Sequence, residues 1–483
     1  MRSFYIVVGI RNNMADELKF TEKTAEDEES RFFNAAIDSV LTNGKKDYPS
    51  YVGGFKVASG NQFQVCSPVD KSIIFGSFQE PEDGLMDRAV VVAKEAFAKW
   101  SKTSAEERTK IFDKALETIE QQKYRLAAIV SLSVGMKRED ALEEVDRLVE
   151  VIAKACDDIE EKKGKAIGVW AVLTSHNSPL AAPMGYACAA MIAGNSVIMI
   201  PSVRAPVPVY AVYEILEDAG LPGGVLNVVV DRSMKYKCTT ELANNPDVSG
   251  IVAAGSGQRM EDLMFLQMDD ELRFINEIKG MNPILVYKPS SMKEAAKTVI
   301  NSAFSFMGQR LDSCSKVVVL ESEQKAFIDA LVAEAKNIKI TDPNEPDAFA
   351  GPIISERKVK AFEDLVGELK GNIIYGGKKV KDILTENGYY VTPAIVMGLD
   401  EEHDLNNMDS ALPILSVQVV EDVDQAIDII NCTEYGMCAG VITKDASFAE
   451  RFVDEINADE VFINDPSKII GVASRALVSN FME

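Results

Sequence analysis

Short apolar runs of four or five residues alternate along this chain with longer stretches in which apolar residues recur every third or fourth position. From Asp83 to about Ala155 the second pattern dominates: Met86, Val90, Ala93 and Phe97 fall on one face of a helix. Ala105-Glu106-Glu107-Arg108 opens a second helix that runs through Ile111 to Arg125, with Ser104 as its N-cap. Ahead of these, residues 15–50 are charged and predicted helical, ending near Lys45–Pro49. Tyr51–Val57 reads as a hairpin, and Gln62–Asp70 and Ile73–Ser77 read as short strands.

Residues 166–287 alternate strand and helix. The expected strands are Ala166–Leu173, Val197–Ile200, Leu226–Val230, Gly250–Ala254 and Ile284–Tyr287. The expected helices are Pro179–Ala193, Val207–Ala219 and Gln258–Gln267. Continuous apolar strands between helices indicate a parallel sheet covered on both faces, with right-handed crossovers. Residues 290–440 give a second α/β unit, with strands at 316–320, 388–393 and 408–420 and helices at 292–304, 323–337, 356–369 and 423–431. The expected fold is therefore α/β, a doubly wound parallel sheet of dinucleotide-binding type plus a second α/β domain. The boundaries fall at 1–276, 277–439 and 440–483, the last segment returning to the first domain.

Composition narrows the functions more than the fold. The chain has 483 residues and a net charge of −24, from 75 acidic and 51 basic residues, which opposes non-specific contact with nucleic acid or an anionic membrane. The apolar run Ser3–Ile10 is too short to span a bilayer and lacks a cleavage pattern. A polar start follows at Met14, so residues 1–13 read as an upstream extension. Seven cysteines without a CxxC pair fit reduced thiols in a cytoplasm. His176 and His403 are the only histidines, too few for a His-rich metal site.

The chemistry points to Ser302-Ala303-Phe304-Ser305-Phe306-Met307-Gly308-Gln309-Arg310-Leu311-Asp312-Ser313-Cys314-Ser315-Lys316. A Gly-Gln turn lies here between a predicted helix and a buried strand, where α/β enzymes often carry a reactive side chain. The segment resembles the nucleophile loop of the aldehyde dehydrogenase superfamily, Gly-Gln-x-Cys, and most closely its glutamate-semialdehyde (1-pyrroline-5-carboxylate) dehydrogenase branch. The resemblance runs from about Tyr48 to Asn464. It breaks at the decisive position: Leu311 stands where the family's cysteine attacks the carbonyl. Cys314 matches the family's second, non-catalytic cysteine and reads either as a displaced nucleophile or as a buried structural thiol.

Other motifs occur in the family's order. Asn177-Ser178-Pro179 resembles the turn whose asparagine holds the oxyanion; Asn before Pro also caps a helix, and both roles can hold at once. Ala193–Ser202 resembles Ala-Gly-Asn-x-Val-x-x-Lys-Pro-Ser, with Ile200 in place of the ribose-binding lysine and Ser202 retained. Gly255 and Ser256 match the pyrophosphate turn, whose second glycine is Met260. Glu277 occupies the general-base position, with Lys279 replacing a glycine and Met281 a lysine of that loop. Asp409 stands for the glutamate that binds the nicotinamide ribose. The family's Phe-Gly-Gly anchor loop is absent from the 19 residues after Asn464.

By this resemblance the cofactor would be NAD or NADP, the substrate a small aldehyde or related metabolite, and the assembly a homo-oligomer, most simply a dimer. Two readings follow. In the first the scaffold has kept its fold and lost thiol-dependent oxidation, a pseudoenzyme. In the second it remains an NAD(P)-dependent semialdehyde dehydrogenase with Asn177 as oxyanion donor, Glu277 as base and Cys314 as nucleophile.

Overall fold

The computed structural model describes residues 28–43, 45–162, 164–233, 236–256, 272–380, 382, 385–400, 402–407, 409–432, 436–465 and 476–483. The helix expected at 258–267, with Met260, and the expected stretch before residue 28 lie outside the described residues.

Four helices fill the segment read as helical: Leu85–Trp100, Ala105–Gln121, Lys123–Val134 and Arg138–Glu161. Ser104 does cap the second. Its side chain accepts from the Glu107 N–H at 3.2 Å, while Glu107 Oε2 accepts from the Ser104 N–H at 3.1 Å, so two otherwise orphaned donors are satisfied reciprocally.

Among the described residues, the first large sheet has seven strands. Five are parallel, in spatial order Arg273–Ile278, Val248–Gly255, Val169–Thr174, Ser196–Ile200 and Leu226–Val228. The hairpin strands Ser50–Val52 and Phe55–Val57 close the edge antiparallel. The helix Ala181–Ile192 lies at the heart of this unit with every residue buried, which its small side chains allow. The second sheet also has seven strands, ordered Ile373–Lys379, Val391–Met397, Ile414–Val420, Lys316–Leu320, Ile284–Val286, Cys438–Ile442 and Glu460–Ile463. All pair in parallel except the Ile373–Lys379 edge. A three-stranded sheet of Lys46–Tyr48, Ile74–Gln79 and Gln62–Cys66 sits apart.

The expected parallel sheets with helical cover are thus present, with antiparallel strands added at one edge of each. The expected return to the first domain at residue 440 needs correction. Cys438–Ile442 and Glu460–Ile463 extend the second sheet. Among the described residues, the end of the chain goes back: Phe481 stacks edge-on against Trp170 at 4.7 Å, and Asn195 Nδ2 donates to the Phe481 carbonyl at 2.9 Å. The strand Arg273–Ile278 is the last of the first sheet and carries Glu277 to the junction between the two units. Among the described residues no helix is long and apolar enough to cross a membrane.

Candidate active site

The helix Met292–Phe304 ends in a sharp turn in which Phe306, Met307 and Gly308 all adopt positive φ, at 50°, 56° and 66°. Two non-glycine residues in the left-handed region cost on the order of 1–3 kcal/mol each and persist only where the surroundings hold them. Gln309 does the holding. Its Nε2 donates to the carbonyls of Phe306 at 3.1 Å and Pro352 at 3.3 Å, and its Oε1 accepts from the Ile354 N–H at 2.8 Å. Asn282 fixes the far side of the turn, donating to the carbonyls of Leu311 at 2.7 Å and Ser313 at 3.1 Å. Arg310 and Asp312 form a bidentate ion pair at 2.8 and 2.5 Å.

This framework presents Leu311. Its side chain is buried and packs with Met437 as a small apolar pair. The surrounding cavity is lined by Leu311, Asn177, Glu277, Arg310, Asp140 and Glu144, among others, and measures about 40 Å³. That is room for roughly one water, whose share of liquid volume is about 30 Å³. Sites for small ligands run to about 300–1,000 Å³.

Asn177 is brought beside the turn, as its motif implied. Its Nδ2 donates to the Gln309 carbonyl, and its Oδ1 accepts from the hydroxyls of Ser175 and, at 3.3 Å, Ser256. The donor expected to face an oxyanion therefore serves the loop's own backbone. Glu277 is 1% exposed, and its Oε2 accepts from the Tyr186 hydroxyl at 2.6 Å. Tyr186 comes from the buried helix Ala181–Ile192, and nothing in its sequence context marked it out.

Cys314 lies in the core of the second unit, 2% exposed, with its Sγ directed at the Lys316 carbonyl at 3.0 Å. Burial pushes its thiol up to about 12, so the reactive thiolate is scarce at neutral pH. Of the two readings of this residue, the geometry favours the structural thiol over the displaced nucleophile.

The cofactor-site residues tell a similar story. Ile200 is fully buried among the aliphatic side chains between the first sheet and the helix Leu85–Trp100, and offers no donor to a ribose. Gly255 (φ +143°) keeps its backbone close to Ser175, whose Oγ would lie 2.2 Å from any added Cβ. Ser202 accepts from the Arg204 N–H at 3.3 Å. Asp409 shows the largest departure. Its Oδ1 receives Lys279 Nζ at 2.6 Å and the Ser315 hydroxyl at 2.6 Å, with the two side chains of the ion pair 1% and 7% exposed. Lys279 stands at the position where the motif has a glycine, so the chain's own ammonium fills the space beside the carboxylate expected to bind ribose. These residues do not fit a dinucleotide held through a ribose lysine and a ribose carboxylate.

A second carboxylate was not foreseen. Glu144, on the helix Arg138–Glu161, is 4% exposed. It accepts from the Ser178 hydroxyl at 2.8 and 3.0 Å and from the N–H groups of Leu180 at 3.3 Å and Ala181 at 3.1 Å. It thus caps the N-terminus of Ala181–Ile192 from another helix. Burial raises its pKa, against the opposing effects of Arg147 and these hydrogen bonds. Among the described residues, no group of His, Cys, Asp and Glu is arranged to hold a metal ion.

Comparison with known proteins places this geometry. The sequence profile described as "Aldehyde dehydrogenase family" matches residues 55–473. A 1-pyrroline-5-carboxylate dehydrogenase of Geobacillus sp. (strain WCH70) is 26% identical over 456 residues, covering 89% of this chain and 87% of that protein. An alpha-ketoglutarate semialdehyde dehydrogenase of Haloferax volcanii is 29% identical over 437 residues, covering 86% and 90%. In structure, the 1-pyrroline-5-carboxylate dehydrogenase from Thermus with bound NAD superposes with a TM-score of 0.87 at 21% identity, covering 99% of this chain and 98% of that one. A betaine aldehyde dehydrogenase from Staphylococcus aureus in complex with NAD+ gives 0.83 at 22% identity, covering 91% and 90%.

Proposed function

Since this chain belongs to the aldehyde dehydrogenase family, we propose that it is a member that has lost thiol-dependent oxidation of a semialdehyde. One observation carries the reading: the nucleophile position is Leu311, buried against Met437 in a turn pinned on both sides by Gln309 and Asn282. A leucine side chain has no electron pair to form the thiohemiacetal from which hydride leaves. Glu277 in the general-base position then has no acyl-enzyme to hydrolyse. The Lys279–Asp409 pair supports the same reading for the cofactor, because a carboxylate already neutralised inside the protein has little to offer a ribose hydroxyl. No catalytic step is assigned to Cys314. We further take the native form to be a cytoplasmic homodimer whose remaining ligand, if it keeps one at this site, is a small aldehyde-like metabolite.

The test is a calorimetric titration with NAD+ and NADP+, paired with an assay of glutamate-semialdehyde oxidation read as NAD(P)H absorbance. The native protein is expected to give no turnover. Leu311→Cys alone is expected to stay inactive, because Lys279, Ile200 and the 40 Å³ cavity persist. Turnover by the native chain that is abolished by Cys314→Ser would sink the proposal and establish the displaced nucleophile. Sedimentation of the purified chain checks the dimer.

A further inference from the structure

Away from Leu311, a cleft of about 600 Å³ opens between the hairpin Ser50–Val57, the helix Leu85–Trp100 and the turn Pro222–Val225. Its size falls within the range of small-molecule sites, about 300–1,000 Å³. The walls are mainly apolar, from Val52, Val57, Val92, Trp100 and Val225, with Phe55 at the rim 76% exposed. Trp100 is held in place by its Nε1–H, which donates to the Met191 carbonyl at 2.8 Å. The hairpin and the Pro222–Val225 turn meet backbone to backbone: a Cβ on Gly223 would stand 2.7 Å from the Gly53 carbonyl oxygen. The cleft is therefore built by packing and is not a gap between loose loops.

Its charge runs against that of the molecule. Arg88 and Lys99 lie eleven residues apart on the helix face that lines the cleft, about 16 Å along the axis. Both are exposed, and among the described residues neither side chain makes an ion pair or hydrogen bond. One carboxylate of the cleft, Glu95, lies between them; Arg88 also borders a neighbouring cleft with Glu80, Glu82 and Asp83, of which Glu80 is paired with Arg232 and Asp83 with Lys237. In a chain of net charge −24, an apolar cleft with two unpaired cations against one acid selects an anion with an apolar body. We propose that this cleft binds a small, soluble amphipathic carboxylate, its aliphatic part against Val92 and Trp100 and its head group at Arg88 or Lys99. The site is independent of the Leu311 turn and would operate whether or not oxidation is lost.

The test uses the full chain and sodium octanoate, with octylammonium chloride and octanol as comparison probes, followed by calorimetry and tryptophan fluorescence. Both tryptophans are buried, but only Trp100 lines the cleft, so a ligand-induced spectral change reports Trp100. Octanoate is expected to bind saturably at one site, to shift the fluorescence, and to bind about tenfold or more tightly than octylammonium. The double substitution Arg88→Glu/Lys99→Glu, at two exposed positions, is expected to invert that order with circular dichroism unchanged. Equal binding of all three probes, no response to the charge reversal, no binding at millimolar octanoate, or binding only to phosphatidylglycerol vesicles would each overturn the proposal.

Discussion

Deleting the charge of Lys279 while leaving Asp409 in place tests the ion pair that fills the expected ribose site. Lys279→Met preserves much of the side-chain length and removes the ammonium. The pair is separated by 2.6 Å, with side chains 1% and 7% exposed, and after the substitution Asp409 keeps the Ser315 hydroxyl. At an effective permittivity of about 20, two unit charges at this separation attract by roughly 6 kcal/mol, much of it offset by their desolvation. Removing one partner of a buried pair strands the other, at a cost of about 3–5 kcal/mol. Lys279→Met is therefore expected to lose about that much stability, and Asp409→Leu a comparable amount. The double replacement should recover most of the loss, because an apolar pair carries no stranded charge. Urea unfolding followed by far-ultraviolet circular dichroism, compared at constant m, gives the three differences and hence the coupling. A loss below about 1 kcal/mol for Lys279→Met, the value of a solvated surface pair, would refute the argument. So would a double variant whose loss is the sum of the singles.

Three further outcomes are expected. In the native protein, iodoacetamide should label the exposed Cys66 and Cys432 and spare Cys314, as peptide mass spectrometry would show; comparable labelling of Cys314 would contradict its burial. Tyr186→Phe removes the donor to buried Glu277 and should cost about 1.5–3 kcal/mol in the same urea assay, with a negligible change counting against that hydrogen bond as a stabilising one. The half-buried His176 imidazole is pushed down to about 3 from the ordinary 6.5 by desolvation and then by the Lys358 and Arg204 charges, against a hydrogen bond with Gln309. Between those values the unfolded chain takes up a proton that the folded chain refuses, so stability falls as pH drops from 6.5 towards 3. His176→Asn should flatten that slope, and an unchanged slope would remove His176 from the account.

Much of the scaffold could be read from periodicity, because apolar runs of strand length between amphipathic helices leave few alternatives to a covered parallel sheet. What periodicity does not encode is which strand lies beside which. Glu460–Ile463 looks like any buried strand, and its place in the second sheet is set by non-local pairing with Cys438–Ile442. The position of Leu311 was legible because its neighbours Gly308 and Gln309 keep the motif of the turn. The partners of the site residues were harder to see. Lys279 and Asp409 are 130 residues apart, and each stood out only as a separate departure from its motif, with no sign that one charge answers the other. Tyr186 and Glu144 carried no signal at all, since a tyrosine in an apolar helix and a glutamate in a charged one are ordinary residues until the fold brings them together.

The cap that Glu144 places on the helix Ala181–Ile192 bears on what the cavity beside Leu311 can recognise. A helix start facing a cleft commonly offers its N–H groups and positive pole to whatever anion arrives. Here that berth is already taken by a tethered carboxylate at effectively fixed concentration, supplied by the chain itself. A visitor bearing a carboxylate or phosphate gains nothing by approaching this pole and meets the repulsion of the resident charge. Beside Leu311, unlike in the cleft at Trp100, the pole of this helix is thereby closed to anions by a residue of the chain itself.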